Sequence, residues 1–546
     1  MLEELEEVPL IKRVVSAGKS VFLVLFFVYL ALYVTYSIHL EYPFPYHADE
    51  WDAFAIANEI NRIDGLVSYN PFRGWGFDPQ AEQNYHLFLA TIMNFTNWDE
   101  IDLGAVYTAL FVPVLMTFLM ILFTFLLIKH LTGNSVAAFL SAITVVITRP
   151  NVTLLGYWFA VPMAFGLAFM PLVLLLFVKT FTDDKSIPSN QYFLFFLIVY
   201  AMLTLTHPAT AIIFLPSFFL YFLLNPRLLF SNKLKIGVTI VMLIALMFLM
   251  VGYMVYQYKP YGTEDLIEKV IETLSFPTSL YEVQAFYYIP RFLSEPMFWL
   301  GVLGLAYLLN LGNRQSKIMP LFIASLLPIV YFGFTEGQSF LAEYRRVFMF
   351  AATSIAMLSG VGLYVIYSFS HRVLENVFRK IRLENIITGF LSKAAVLAVI
   401  LLFLINTLTL VVFTHQPYLY RITEAYEMPA FLWLKYNTNN EEIVLAHPWS
   451  SRAIHVIAGN RILYANPARL QGARAYQEIF EFFSYPCEER IRMTRGATYV
   501  YKWKHLHLQS RWLTLRFLRL CFLRFYSSGL SCHSMKWRQQ TFHSQE

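Results

Sequence analysis

Apolar runs about as long as a bilayer is thick recur along the chain, with short polar linkers between them. They cover residues 20–40, 106–128, 135–148, 159–178, 191–206, 209–224, 236–256, 297–311, 318–334, 347–368 and 391–413. About 20 apolar residues of helix cross the hydrocarbon core, and inside lipid a segment must satisfy its own backbone. Of the 546 residues 57% are hydrophobic and 14% charged, against about 25% charged in a soluble domain. The pattern predicts an all-α polytopic membrane protein of about eleven transmembrane helices. Residues 20–40 run into Glu41-Tyr42-Pro43 with no small-residue cleavage site, so the first run reads as a retained helix.

Charge sets the expected orientation. The linkers at 129–134, 179–190, 225–235, 312–317 and 369–393 carry Lys and Arg, whereas those at 41–105 and 257–296 are dominated by acids. The positive-inside bias then puts the N-terminus in the cytoplasm and everything after residue 413 outside. The net charge of +5 is a property of the tail: residues 502–546 hold eight basic residues and one acid. That distribution gives no case for nucleic acid as a partner. Three cysteines, none in a C-x-x-C pair, build neither a disulfide framework nor a metal knuckle.

The expected organisation is a transmembrane domain over 1–413 with a large outer loop at 41–105, an extracytoplasmic segment at 414–501, and a basic tail at 502–546. In the second of these, Pro429 to Lys435 reads as a helix, Glu442 to Ala446 as a strand, Arg452 to Ile457 as a second helix, and Arg461 to Tyr464 as a second strand. That makes a small α/β segment. The tail shows neither helical nor strand periodicity, and looks like either a native extension or translation from another frame.

Four places could carry chemistry. His47-Ala48-Asp49-Glu50-Trp51-Asp52 lies just past the first helix, ahead of a short helix over Ala53 to Asn61. Adjacent carboxylates at a membrane interface serve as a general base and its modulator, or simply begin a solvated acidic loop. Tyr85-His86 precedes a helical stretch from Leu87 to Asn94. His207, in Thr206-His207-Pro208, either belongs to a polar site or caps a tight helical hairpin. Glu343-Tyr344-Arg345-Arg346 stands at an outer helix boundary, where arginine runs against the positive-inside bias. Paired guanidinium groups there bind phosphate bidentately, or anchor on lipid head groups. There is no H-E-x-x-H, Walker or G-x-G-x-x-G motif, so the sequence names no metal and no nucleotide.

Together these features resemble the GT-C superfamily of integral membrane glycosyltransferases, including its protein mannosyltransferase-like members. The resemblance rests on a first helix followed by an outer loop that opens with Asp49-Glu50, on Tyr85-His86-Leu87 before the second span, on the Leu205-to-Pro208 hairpin, and on Trp433-Leu434-Lys435 ahead of a strand. The chain lacks the Trp-Trp-Asp motif of the oligosaccharyltransferase catalytic subunits, which argues against transfer of a whole glycan to Asn. The resemblance implies sugar transfer from a polyprenyl-phosphate donor to a hydroxyl on a glycan, lipid or protein, at the outer face of the cell membrane. It implies Asp49 as base and Glu50 as its orienting neighbour. Arg345 and Arg346 would neutralise the departing lipid phosphate, with Glu343, Tyr85, His86 and His207 as further site residues. No cofactor is required, and a divalent cation stays open. The competing readings are a transporter or flippase of polyprenyl-linked saccharides, and a non-catalytic lipid-binding relative.

Orientation is checked by labelling in a background where Cys487, Cys521 and Cys532 are serine. A cysteine placed at Asn70 is expected to react with an impermeant thiol reagent from outside, and one at Ser186 is not. The reverse pattern would overturn the orientation.

Overall fold

A computed structural model describes residues 18, 20–40, 42–67, 82–96, 104–148, 156–182, 189–258, 276–277, 289–336, 338–339, 344–380, 385–414, 423, 427–439, 442–446, 448–462, 499–502 and 521–524. The chain divides into two compact units, Met1–Glu41 with Leu110–Leu419, and Tyr42–Ala109 with Tyr420–Glu546.

Each apolar run coincides with a helix. These are α1 (Ser20–His39), α4 (Gly104–Thr132), α5 (Ser135–Thr144), α6 (Pro162–Thr180), α7 (Ser189–Thr206), α8 (Pro208–Leu224), α10 (Lys233–Tyr258), α12 (Glu295–Asn310), α13 (Ile318–Glu336), α14 (Tyr344–Lys380) and α15 (Asn385–Thr414). Short helices α9 (Pro226–Ser231) and α11 (Ile289–Leu293) link some of them, and α2 (Ala48–Ile63) and α3 (Gln83–Thr96) lie in the second unit. Among the described residues seven helices are long and apolar enough to cross a membrane, and α5 and α8 are shorter apolar ones. The chain is a polytopic, mainly α-helical membrane protein.

The first unit is organised around α14. Residues 347–363 are buried on every side, as in a helix enclosed by its neighbours. Small residues permit the close approach. A Cβ at Gly304 would collide with the backbone carbonyl of Leu358, and one at Gly362 with that of Leu300. Gly360 sits equally close to the backbone of Ser141 on α5. Such small-residue contacts replace the hydrophobic drive that lipid removes. Ser359 adds a buried hydrogen bond to the carbonyl of Met297, 2.6 Å away. On α6, α7 and α8 an aromatic cluster does the packing: the rings of Phe177 and Phe218 stack 4.0 Å apart. The Tyr200 hydroxyl donates to the Ala211 carbonyl at 2.6 Å and ties α7 to α8. Residues Phe276–Pro277 (β1) and Gln338–Ser339 (β2) pair antiparallel.

The second unit contains α2, α3, α16 (Met428–Asn437), and α17 (Pro448–Ala453), which continues as a π turn over Ile454–Ala458. Its sheet has the order β4-β3-β5-β6, formed by Arg461–Ile462, Ile443–Leu445, Tyr499–Lys502 and Cys521–Arg524. β3 runs parallel to β4 and β5, and β5 antiparallel to β6. The right-handed crossover usual for parallel strands needs an intervening element, and α17 lies between β3 and β4 in the chain. Helical and strand elements stand at the four places expected between 429 and 462; residues 463–464 of the second expected strand lie outside the described residues. Two features differ from the sequence reading. The outer loop groups with the C-terminal segment rather than with the spans, and Cys521–Arg524 forms a strand where no periodicity was read. A four-residue strand carries too few alternations to stand out from a basic, aromatic background.

The glycine contacts make a sharp comparison. Gly304→Leu is expected to lower stability by about 1–3 kcal/mol through overpacking, read as a lower melting temperature in detergent. Gly237→Ala, where an added Cβ meets nothing within 4 Å, should leave the melt unchanged or raise it. Equal melts for the two variants would contradict the packing described.

Candidate functional site

The helix α2 begins with a reciprocal cap. His47 is extended (φ −117°, ψ 146°), which turns its imidazole back over the first turn. Its Nδ1 accepts from the Asp49 N–H at 3.0 Å. The Glu50 Oε2 atom accepts the N–H groups of both Tyr46 and His47 at 2.9 Å. These bonds satisfy donors that a helix start leaves open, and such a cap contributes about 1 kcal/mol. The acid pair therefore lies inside the helix, not ahead of a helix starting at Ala53 as its sequence suggested. The signal was hidden because histidine, not serine or threonine, holds the cap position.

The two adjacent carboxylates have different fates. Glu50 is 1% exposed and is committed to the backbone of the preceding turn. The Asp49 side chain is 59% exposed, with Oδ2 3.7 Å from His47 Nδ1. Both sit where the helix dipole favours negative charge. The preceding turn is a packed aromatic block: the Tyr42 and Tyr46 rings are 4.7 Å apart. Buried Trp51 donates from Nε1 to the Pro45 carbonyl at 3.2 Å. Asp49 thus lends its N–H to the cap, while its carboxylate stays exposed.

Tyr85 and His86 lie within α3, whose first turn starts at Gln83 rather than at Leu87. Both are buried. Burial, reinforced by Glu50 and then Glu82, holds the Tyr85 phenol well above its ordinary pKa. Burial lowers the His86 imidazole to about 4, so it is neutral near pH 7. His86 can pack or hydrogen-bond, but it brings no positive charge to an anion.

In the first unit, the structure joins two sequence candidates directly. Arg346, in the first turn of α14, donates from Nη1 to His207 Nε2 at 3.0 Å. Arginine only donates, so Nε2 accepts, and Nδ1 carries the hydrogen that bonds the Thr210 hydroxyl. His207 is 1% exposed and sits in the break between α7 and α8. Its own N–H is held by the Leu203 carbonyl at 2.8 Å. Arg345 and Arg346 are half-buried, and Tyr344 beside them is fully buried. A helix start gathers open N–H groups and a positive dipole end, and two guanidinium groups there strengthen its pull on an anion. Glu343 lies outside the described residues. Among the described residues no group of three His, Cys, Asp or Glu side chains is placed to hold a metal ion.

Sequence reading passed over Glu59 and Arg62 of α2, and gave Asp52 no role beyond its place in the acidic motif. In the second unit they meet Arg452 and His455, with Arg452 Nε 4.0 Å from Asp52 Oδ1 and His455 Nε2 3.6 Å from Glu59 Oε1. The seven-residue spacing of Asp52 and Glu59 was the available signal, since it places both on one helix face.

No family model and no curated protein matches the chain. Solved structures do. The archaeal oligosaccharyltransferase AglB from Archaeoglobus fulgidus, in complex with an inhibitory peptide and a dolichol-phosphate, superposes with a TM-score of 0.59 at 13% identity. The match covers 88% of this chain and 69% of that one. ArnT from Cupriavidus metallidurans in the apo state gives a TM-score of 0.59 at 12% identity, over 89% and 93% of the two chains. ArnT bound to undecaprenyl phosphate gives 0.55 at 12% identity, over 84% and 88%. At this level of identity what is shared is architecture: this chain has the polytopic membrane fold of these two proteins.

Proposed function

We propose that the chain is a membrane glycosyltransferase that moves a sugar from a polyprenyl-phosphate donor to a hydroxyl acceptor on the outer face of the cell membrane. The observation that carries this reading is the exposed Asp49 carboxylate, set in the first turn of α2 by a cap that employs Glu50 instead. The fold supports it, since solved relatives hold a dolichol-phosphate and undecaprenyl phosphate. The missing Trp-Trp-Asp motif favours a hydroxyl acceptor on a glycan, lipid or protein over an Asn amide.

In this reading Asp49 accepts the proton of the acceptor hydroxyl as its oxygen attacks the anomeric carbon. The bond from that carbon to the phosphate oxygen breaks, and the lipid phosphate leaves with both bonding electrons. Arg345 and Arg346 neutralise the departing charge, which makes a lipid phosphate an adequate leaving group without a nucleotide. The hydrogen bond from Arg346 to neutral His207 orients the guanidinium without cancelling its charge. A flippase would use outer arginines too, but it has no need of an exposed carboxylate on a fixed helix start.

The test is incubation of the purified protein with labelled polyprenyl-phosphate sugars, reading release of the lipid phosphate. Release is expected with one donor sugar class. Arg345→Ala and Arg346→Ala should each weaken donor binding by about tenfold or more. Lysine at either position should restore only part, because a point charge lacks the forked contact. Unchanged donor affinity in the double alanine variant would assign the arginines to lipid anchoring.

A further inference from the structure

The C-terminal segment meets α2 through polar side chains at three points. Arg452 faces Asp52, Asn58 Nδ2 donates to the Val456 carbonyl at 2.8 Å, and His455 faces Glu59. Glu59 and His455 are 3% and 1% exposed, so this contact is enclosed, unlike a surface ion pair. The remaining polar atoms of both side chains are engaged. Glu59 Oε2 accepts from Arg62 Nε at 3.0 Å and Nη2 at 2.7 Å. His455 Nδ1 lies 2.8 Å from the Asn460 carbonyl. A carbonyl only accepts, so Nδ1 carries a hydrogen, and Nε2 is the atom turned to Glu59. Burial keeps that imidazole below its ordinary pKa, and 3.6 Å is beyond hydrogen-bond distance. The hydrogen bond that crosses to α2 is the one from Asn58 to the Val456 carbonyl, one residue on from His455 in the same π turn. Asn460 extends the chain of contacts, since its Nδ2 donates to Thr438 Oγ1 at 2.7 Å and to the Asn439 carbonyl at 3.1 Å. Backbone shape supports the arrangement: His455 lies in the π turn, which closes at Gly459 with φ 79°. Single π turns inside helices occur often at functional sites.

We propose that His455 is a positioning residue, which fixes the pose of α2, and with it Asp49, from the C-terminal segment. The consequence for Asp49 rests on the glycosyltransferase reading; the contact itself does not. Through Nδ1 His455 holds the Asn460 carbonyl and so the π turn that presents the Val456 carbonyl to Asn58. Apolar contacts tolerate small slides, whereas such a hydrogen bond has one satisfied geometry and is costly to leave half made. Glu59 and Asp49 are ten residues apart on one helix, about 15 Å along its axis. A tilt of about 4° around Glu59 therefore moves Asp49 by about 1 Å, and a misplacement of that size can cost about 100-fold in rate.

The experiment measures hydrogen–deuterium exchange over α2 and sugar-transfer kinetics on the same purified full-length variants. His455→Ala should speed exchange of the α2 amides by about tenfold, with the strands and α16 little changed. It should lower kcat by about 10–100-fold with KM for the donor unchanged. Adding Asn58→Ala should cost little more, because both changes act on the bond to the Val456 carbonyl. If His455→Ala does not accumulate, Asn58→Ala alone is read against the same outcomes. Unchanged α2 exchange, or faster exchange with wild-type kcat, would overturn the proposal. Absence of transfer in the wild-type protein would sink the glycosyltransferase reading, and the exchange result alone would then decide on the contact.

Discussion

One buried carboxylate decides what the outer loop presents. Glu50 accepts two backbone N–H groups from the turn before α2, and in doing so fixes where the helix starts. With the start fixed, the carboxylate just before Glu50 in sequence, that of Asp49, is left exposed. Without Glu50 the first turn would lose two bonds and its dipole partner, and Asp49 would sit on a fraying end. The aromatic block under the cap and the charged face of α2 toward the C-terminal segment extend the same rigidity over the helix. A catalytic group is useful only when its support holds it to a fraction of an ångström.

The first unit solves a different problem with the same economy. Its central helix is enclosed, so neighbours must approach closely, and Gly304, Gly360 and Gly362 leave room for that. The hairpin at His207 then converts a helix break into a polar partner for Arg346. A buried imidazole that accepts from a guanidinium holds it in place without adding a competing charge.

Much of the architecture was legible because lipid is an unforgiving solvent. Every apolar run became a helix, and the small α/β segment appeared where its short elements had been read. What stayed hidden depended on partners remote in sequence. The contact of Glu59 with His455 joins residues 396 positions apart in a chain of 546, and neither residue stands in a motif. Local reading also placed the acid pair outside α2, because a histidine cap with a glutamate three residues later is an uncommon form of the capping box. Tyr85 and His86 were expected as site residues, while their burial depends on α3 packing against α2 and could not be read locally. The persistence of the fold at 12–13% identity has the same origin: the bilayer constrains the polarity pattern and leaves the individual residues free, so chemistry has to be argued from the site.

The most direct measurement is the rate of sugar transfer by purified Asp49→Asn beside Glu50→Gln, with donor affinity determined on the same samples. Asparagine keeps the shape of Asp49 and removes the base, so transfer should fall by about 10²–10⁴-fold while donor binding persists. Glu50→Gln should lose less activity and show a lower melting temperature, as a weakened cap requires. Transfer at the wild-type rate by Asp49→Asn would contradict the assignment of Asp49 as the base.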